Sequence, residues 1–264
     1  MNPRYEYRAL LACDIAGSAG RGEQRLQEIR SVLRSALSGA LGSAQLDERD
    51  FAYVDTGDGC QLVAPAGLTK ARLLVPLLPV LNSRIREHNR HAAPEVRMRV
   101  RVAAHAGEIR VDPEGTISGA PFEALARLLD SDALRQATLT DTSGTPVVAI
   151  LSHHFHEDAV GHGHEGLDAD AFSEATVQVK EYAATAWLWY PGSPVGPRVD
   201  AGRETDPGLE AGSGSGAGSG AGSGLRAAAP LPGTVEQLVR AEGRSTVFAV
   251  GSNGVQNIHD NRRS

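Results

Sequence analysis

The 264-residue chain has little of what would set it apart from ordinary globular proteins. Its two cysteines, Cys13 and Cys60, offer no disulfide framework and fit a reducing compartment. No uninterrupted apolar run approaches the ~20 residues that a membrane span needs. The opening stretch, MNPRYEYRALLACDIAGS, is broken too soon by Asp14 to read as a signal peptide, so a cytoplasmic protein is expected. Basic excess is missing as well. The 26 Lys and Arg against 32 Asp and Glu leave a net charge of -6, without the basic face a general nucleic-acid binder shows. Secreted, membrane, fibrous and disulfide-stapled classes are excluded on these grounds. What is present, 41% hydrophobic and 22% charged residues, suits a chain that buries a core. At ~150 residues per domain the length allows one to two domains.

Composition shifts after Trp187-Leu-Trp-Tyr190. Residues 1–191 read as one domain, 192–233 as a Gly/Ser/Pro-rich linker, and 234–264 as a short tail. The linker cannot bury enough apolar surface to offset its ordering entropy, so it is expected to be a flexible tether. In the tail, a helix over 234–243 and a strand over 246–250 would be too small for their own core, which points to a peptide that folds on a protein partner.

Within the first domain, strands and helices alternate. Tyr7–Cys13 is an apolar run bounded by Asp14 and Gly17, the mark of a buried strand. Leu26, Ile29, Leu33, Leu37 and Leu41 recur at helical spacing over Glu23–Leu41. Phe51–Val54 and Cys60–Ala64 flank a tight turn at Gly57-Asp-Gly59. Leu68–His88 reads as a helix bent near Pro76 and Pro79. Val96–Val111 alternates as a strand, with Arg97, Arg99 and Arg101 on what reads as a solvated face. Phe122–Leu134 reads as a helix, Pro146–Leu151 as a strand, and Ala175–Val179 with Ala184–Tyr190 as a closing pair. The expected class is α+β, an antiparallel-rich sheet with helices packed on it.

Two acids stand out. Asp14 ends the first strand ahead of Ile15-Ala-Gly-Ser-Ala-Gly20, where the glycines, Gly17 and Gly20, allow close backbone approach and free amides at a helix start attract phosphate. Asp58 sits at the hairpin tip. Carboxylates at neighbouring strand ends suit hard divalent cations, which take oxygen ligands and substrate phosphate. Each alone also reads as an ordinary cap or turn residue. Cys13 and Cys60, beside them, read as buried packing. His153, His154, His156, His162 and His164 offer imidazoles for zinc, but no cysteine lies near, the spacing fits no standard site, and the Gly-rich surroundings read as a loop.

Four ordered segments, Leu11-Ala-Cys-Asp-Ile-Ala-Gly-Ser18, Thr56-Gly-Asp-Gly59, Arg99-Val-Arg-Val-Ala-Ala-His-Ala-Gly-Glu108 and Gly119-Ala-Pro-Phe-Glu-Ala-Leu-Ala-Arg-Leu128, resemble the motifs of class III nucleotide cyclase domains over roughly residues 5–190. The resemblance implies a ferredoxin-like palm that works as a homodimer on a nucleoside triphosphate with two Mg²⁺ or Mn²⁺ ions. It assigns Asp14, Ile15 and Asp58 to the metals, Gly17, Ser18, Thr116 and Glu123 to the nucleotide, and Arg127 and Lys180 to catalysis. Arg127 would steady charge on the transferring phosphorus; read from the residues alone, it is a helix-surface ion pair. Lys180 lacks the family's following glycine and also reads as a strand-edge lysine. Glu123 stands where the family has Asn, and Val54 where many members carry a base-reading Lys or Glu. These departures keep open a degenerate nucleotide-sensing or scaffolding module. A diguanylate cyclase is set aside, because Thr56-Gly-Asp-Gly-Cys60 lacks that family's hairpin sequence.

Overall fold

The first strand owes its position to seven consecutive buried residues, Ala9 to Ile15, a run that needs cover on both faces and a neighbour on each side. The structure, a computed structural model, describes residues 2–140, 144–194 and 196–197. In it β1 (Arg4–Ile15) lies between β3 (Gly59–Val63) and β4 (Val100–Val111), antiparallel to both. With β2 (Ala52–Asp55), β5 (Ile117–Ser118), β6 (Val147–Ser152), β7 (Phe172–Val179) and β8 (Tyr182–Trp189) they form one eight-stranded sheet, ordered β2-β3-β1-β4-β6-β8-β7, with β5 pairing β4. Only β4 and β6 run parallel among these pairs. The antiparallel-rich α+β architecture expected from the sequence is the one observed.

Helices cover both faces. On one, α1 (Glu23–Ser43) buries Ile29, Leu33, Leu37 and Leu41, the stripe its periodicity predicts, beside α2 (Leu77–His91) and α5 (His153–Val160). On the other, α3 (Ala120–Leu129) and α4 (Asp132–Thr140) bury Phe122, Leu125, Leu128 and Leu134 over Leu10, Ala12 and Ala103. Each such side chain taken fully from water contributes about 1.5–3 kcal/mol. Among the described residues no helix is long and apolar enough to cross a membrane.

Several boundaries differ from expectation. The helix read over Leu68–His88 is a short 3₁₀ turn at Lys70–Leu73 followed by α2; Pro79 falls in the first turn of α2, where its missing N–H costs no intrahelical bond. The strand read from Val96 begins at Val100, behind a 3₁₀ turn over Pro94–Val96. The single helix read over Phe122–Leu134 is two, because Ser131 intervenes: its Oγ donates to Leu128 O at 2.7 Å and accepts from Leu134 N at 3.3 Å. The linker beyond residue 197 and the tail, with its helix over 234–243 and strand over 246–250, lie outside the described residues.

The histidine-rich stretch is not a loop at its start. Ser152 caps α5 by accepting from Phe155 N at 3.4 Å, and the glycines only follow the helix. Nor do the imidazoles form a zinc site; among the described residues no group of three or more His, Cys, Asp or Glu converges. His154 Nε2 meets Tyr7 Oη at 2.6 Å, Trp187 Nε1 donates to His153 Nδ1 at 3.1 Å, and His156 stacks on Trp187 with ring centroids 4.1 Å apart. Burial against Trp187 and Phe172, aided by the nearby His153, lowers the His156 pKa to about 4. The folded protein therefore resists a proton that the unfolded chain accepts near pH 6.5. Stability tied to this ring is complete above that pH and declines as pH falls toward 4. Urea midpoints should drop between pH 7 and 4.5, and drop less in His156→Phe. Equal slopes for the two proteins would remove His156 as the cause.

Candidate functional site

The chemistry-bearing residues gather where β1 ends and β4 begins, at the Ile15–Val100 pair. Asp14 is the last polar residue of a buried strand and faces Arg101 directly across the ladder. Arg101 Nε donates to Asp14 Oδ1 at 2.9 Å and its Nη2 reaches Oδ2, a two-pronged grip. The two side chains are only 14% and 11% exposed. Desolvation raises the Asp14 pKa; Arg101 opposes the rise, while Asp58 and Asp130 add to it. Asp130, just past α3, was not singled out in the sequence.

Asp58 is fixed to β1 by its own backbone, since Ile15 N donates to Asp58 O at 3.1 Å. Its carboxylate Oδ2 accepts from Ser18 Oγ at 2.8 Å. Gly17, at φ 64°, turns the intervening loop, and Arg21 ties it down through Gly17 O at 2.8 Å and Arg97 O at 2.6 Å. A groove of about 320 Å³ opens beside Asp58, between α1 and the β2–β3 hairpin, lined among others by Gln27, Arg30, Arg34, Asp55 and Cys60. Among the described residues Arg30 Nε, buried there, has no hydrogen-bond partner. Alternation along β1 turns Asp14 toward α3, whereas this groove lies on the α1 side. The two acids thus share the sheet's end but not one face, Asp58 lining this groove and Asp14 turned toward α3. A larger concavity, of about 810 Å³, lies elsewhere, between the N-terminal half of α1 and the C-terminal end of α2.

The solvated arginine face holds for Arg97 and Arg99, both exposed, with Arg99 donating to Thr138 O. Arg101 is a correction: it is held by Asp14, on the side of β4 that α3 and α4 cover. Arg101→Leu should leave a desolvated carboxylate without its counter-charge, a loss of roughly 3 kcal/mol at pH 8. Part of that loss should return at pH 5 as Asp14 takes a proton. Urea unfolding at the two pH values tests this, and an unchanged midpoint would refute the ion pair's role.

Arg127 lies in the last turn of α3, half-buried. Among the described residues it has no ion pair or hydrogen bond, so the surface salt bridge read from the residues alone is not formed. Glu123, one turn earlier, is exposed. Thr116 and Lys180 stand at the opposite end of the sheet. Thr116 turns the chain beyond Val111, which pairs with Arg4, and its carbonyl accepts from Asp112 N at 2.9 Å. Lys180, at φ 53°, turns β7 into β8 past the Val179–Tyr182 pair. A single chain therefore groups Asp14, Ile15, Ser18 and Asp58, puts Arg127 in the helix turn just before Asp130, and leaves Thr116 and Lys180 apart.

The donors near this sheet end are oxygens: the Asp58 carboxylate, the Ile15 carbonyl and the Asp14 carboxylate, whose two oxygens already accept from Arg101. That set fits Mg²⁺ or Mn²⁺, which complete their shells with water and phosphate. A cation there would also offset the desolvation that raises the Asp14 pKa.

No family model matches the chain, and no curated protein matches it. Among solved structures it is similar to an adenylate/guanylate cyclase/hydrolase from Silicibacter pomeroyi, at 18% identity and TM-score 0.51, over 72% of this chain and 99% of that one. It is similar to the guanylyl cyclase Cya2 at 16% identity and TM-score 0.51, over 75% and 100% of the two chains. A bacterial light-regulated adenylyl cyclase is similar at 11% identity and TM-score 0.50, over 71% of this chain and 53% of that one. At these identities the likeness establishes the fold, a cyclase-like palm.

Proposed function

We propose that the chain is a metal-dependent nucleotide cyclase that acts as a homodimer, converting a nucleoside triphosphate to a 3′,5′-cyclic nucleotide and pyrophosphate. The observation that carries this reading is the placement of Asp14, at the end of β1, and Asp58, at the tip of the adjoining β2–β3 hairpin, at one sheet end of a cyclase-like palm, joined through the Ile15–Asp58 backbone bond. Asp14, the Ile15 carbonyl and Asp58 would hold the ions, which supply Lewis acidity toward the ribose hydroxyl and the triphosphate. Ser18 orients Asp58, and Arg101 aims Asp14 and opposes the rise in its pKa. Arg127 has guanidinium donors not spent on any described residue, as a group that steadies a developing negative charge requires. Thr116 and Lys180 take part only if a second copy supplies them, which is the reason for the dimer.

Incubation of the full chain with Mn²⁺ and each of the four common nucleoside triphosphates, read by mass spectrometry, tests the reading. A cyclic product from at least one is expected; none from any would overturn it. A second reading, a module that binds nucleotide without turnover, is favoured by Val54. That residue is buried at 3% exposure four positions before Asp58, so it presents no base-reading group. Triphosphate binding by calorimetry without product would select that reading.

A further inference from the structure

The two cysteines of the chain are opposed across a single ladder: Cys13 on β1 pairs in register with Cys60 on β3. Opposed residues of an antiparallel pair project to the same face, and both side chains belong to the core cluster under α1. The register also gives the spacing. Ala64 N donates to Ala9 O at 2.9 Å and Ile15 N to Asp58 O at 3.1 Å, and counting by twos makes Cys13 and Cys60 a hydrogen-bonded pair. Such a pair holds its Cα atoms ~5.5 Å apart, inside the ~4.4–6.8 Å that a disulfide spans. Both thiols are almost fully buried, at 1% and 3% exposure, but Cys60 forms part of the floor of the groove beside Arg30 and Arg34. A water-sized oxidant that enters that groove meets Cys60 first.

We infer that Cys13 and Cys60 are a reversible redox pair, oxidised by a hydroperoxide to a cross-strand disulfide that alters the adjoining acidic site. The Cys60 sulfur attacks the peroxide; an S–O bond forms, the O–O bond breaks, and with hydrogen peroxide one water leaves. The Cys13 sulfur then displaces the hydroxyl of that sulfenic acid as a second water. Two thiols lose two electrons and two hydrogens, and the peroxide takes them up. Opposed Cβ atoms sit ~5 Å apart, whereas a disulfide wants ~3.8 Å, so closure draws β1 and β3 together. The two strands already run so close here that Gly59 has no room for a Cβ beside Cys13 O, so the adjustment reaches the neighbouring Asp14 and Asp58. Such a bond belongs to the reducible class rather than the permanent one.

The disulfide itself is independent of the cyclase reading; only its effect on turnover rests on it. The reduced full-length chain, treated under native conditions with hydrogen peroxide, should lose the mass of two hydrogens as a monomer. A non-reducing digest should link the Cys13 and Cys60 peptides, and dithiothreitol should reverse both changes. With Mn²⁺ and triphosphate present, oxidation should lower turnover about tenfold or more, the scale of a site misplaced by ~1 Å, with recovery on reduction. Two thiols still open to alkylation after unfolding, oxygen adducts alone, or an interchain dimer would each overturn the pair. Turnover absent from the reduced protein, with the disulfide formed, counts against the cyclase reading and leaves the pair standing. Equal turnover in the two redox states removes the link to the site.

Discussion

Asp58→Asn should lower cyclic-nucleotide formation by about 10³-fold while leaving the melting temperature within about 2 °C of the parent. The two halves of that expectation have different causes. Asp58 is half-buried at a hairpin tip, and its carboxylate accepts one hydrogen bond among the described residues, from Ser18. The backbone link from Ile15 N to Asp58 O survives the substitution. Removing such a charge costs little stability, within about 0.5 kcal/mol for most exposed sites. A divalent ion, by contrast, loses one of the two carboxylates assigned to it, and the lost charge stabilisation of several kcal/mol corresponds to about three powers of ten in rate. Asp14 is the poorer probe: replacing it strands the Arg101 guanidinium, so lost activity and lost stability would be confounded. Turnover should be compared with Mn²⁺ binding followed by electron paramagnetic resonance. A variant that keeps both would sink the assignment of Asp58, and with it the metal-dependent mechanism.

How far this site could be read from the sequence depends on which contacts are local. The strand ending at Asp14, the helix after it and the Gly-Asp-Gly hairpin each carry their signal within a few residues, through apolar runs, 3.6-residue spacing and turn glycines. Ser131 and Ser152 carried local signals that were outweighed, the first by an apolar pattern running through it and the second by the glycines after α5. Arg101 is legible only in part. Alternation put it opposite Val102 correctly, but nothing local says that α3 and α4, more than fifteen residues further on, cover that face. The separation of Thr116 and Lys180 from Asp14 likewise follows from strand direction, which the order of motifs along the chain does not record.

Gly59→Ala should be the most damaging single-methyl change in the chain's described glycines, lowering stability by about 3 kcal/mol or more, or the melting temperature by roughly 10 °C. A Cβ at this position would lie 1.9 Å from Cys13 O and 2.8 Å from both Cys13 C and Asp14 Cα. All three are backbone atoms, so no rotamer change relieves the overlap, and β3 must move away from β1. The pairs that separate first are Asp14–Gly59 and Cys13–Cys60, so loss of nucleotide turnover should exceed what the fraction unfolded explains. Two other glycines of the same end separate this steric cause from backbone preference. Gly57, at φ 93°, would bring its Cβ no nearer than 3.6 Å to Arg30 Nη2, and Gly17, at φ 64°, would meet nothing within 4 Å. Alanine at either should cost only the left-handed penalty of ~1–2 kcal/mol. Urea unfolding should therefore rank Gly59→Ala well below Gly57→Ala and Gly17→Ala. A Gly59→Ala midpoint equal to the parent's would mean that β3 does not lie against Cys13 and Asp14 in this register, and the two acids would then lose the strand pairing that brings them to one sheet end.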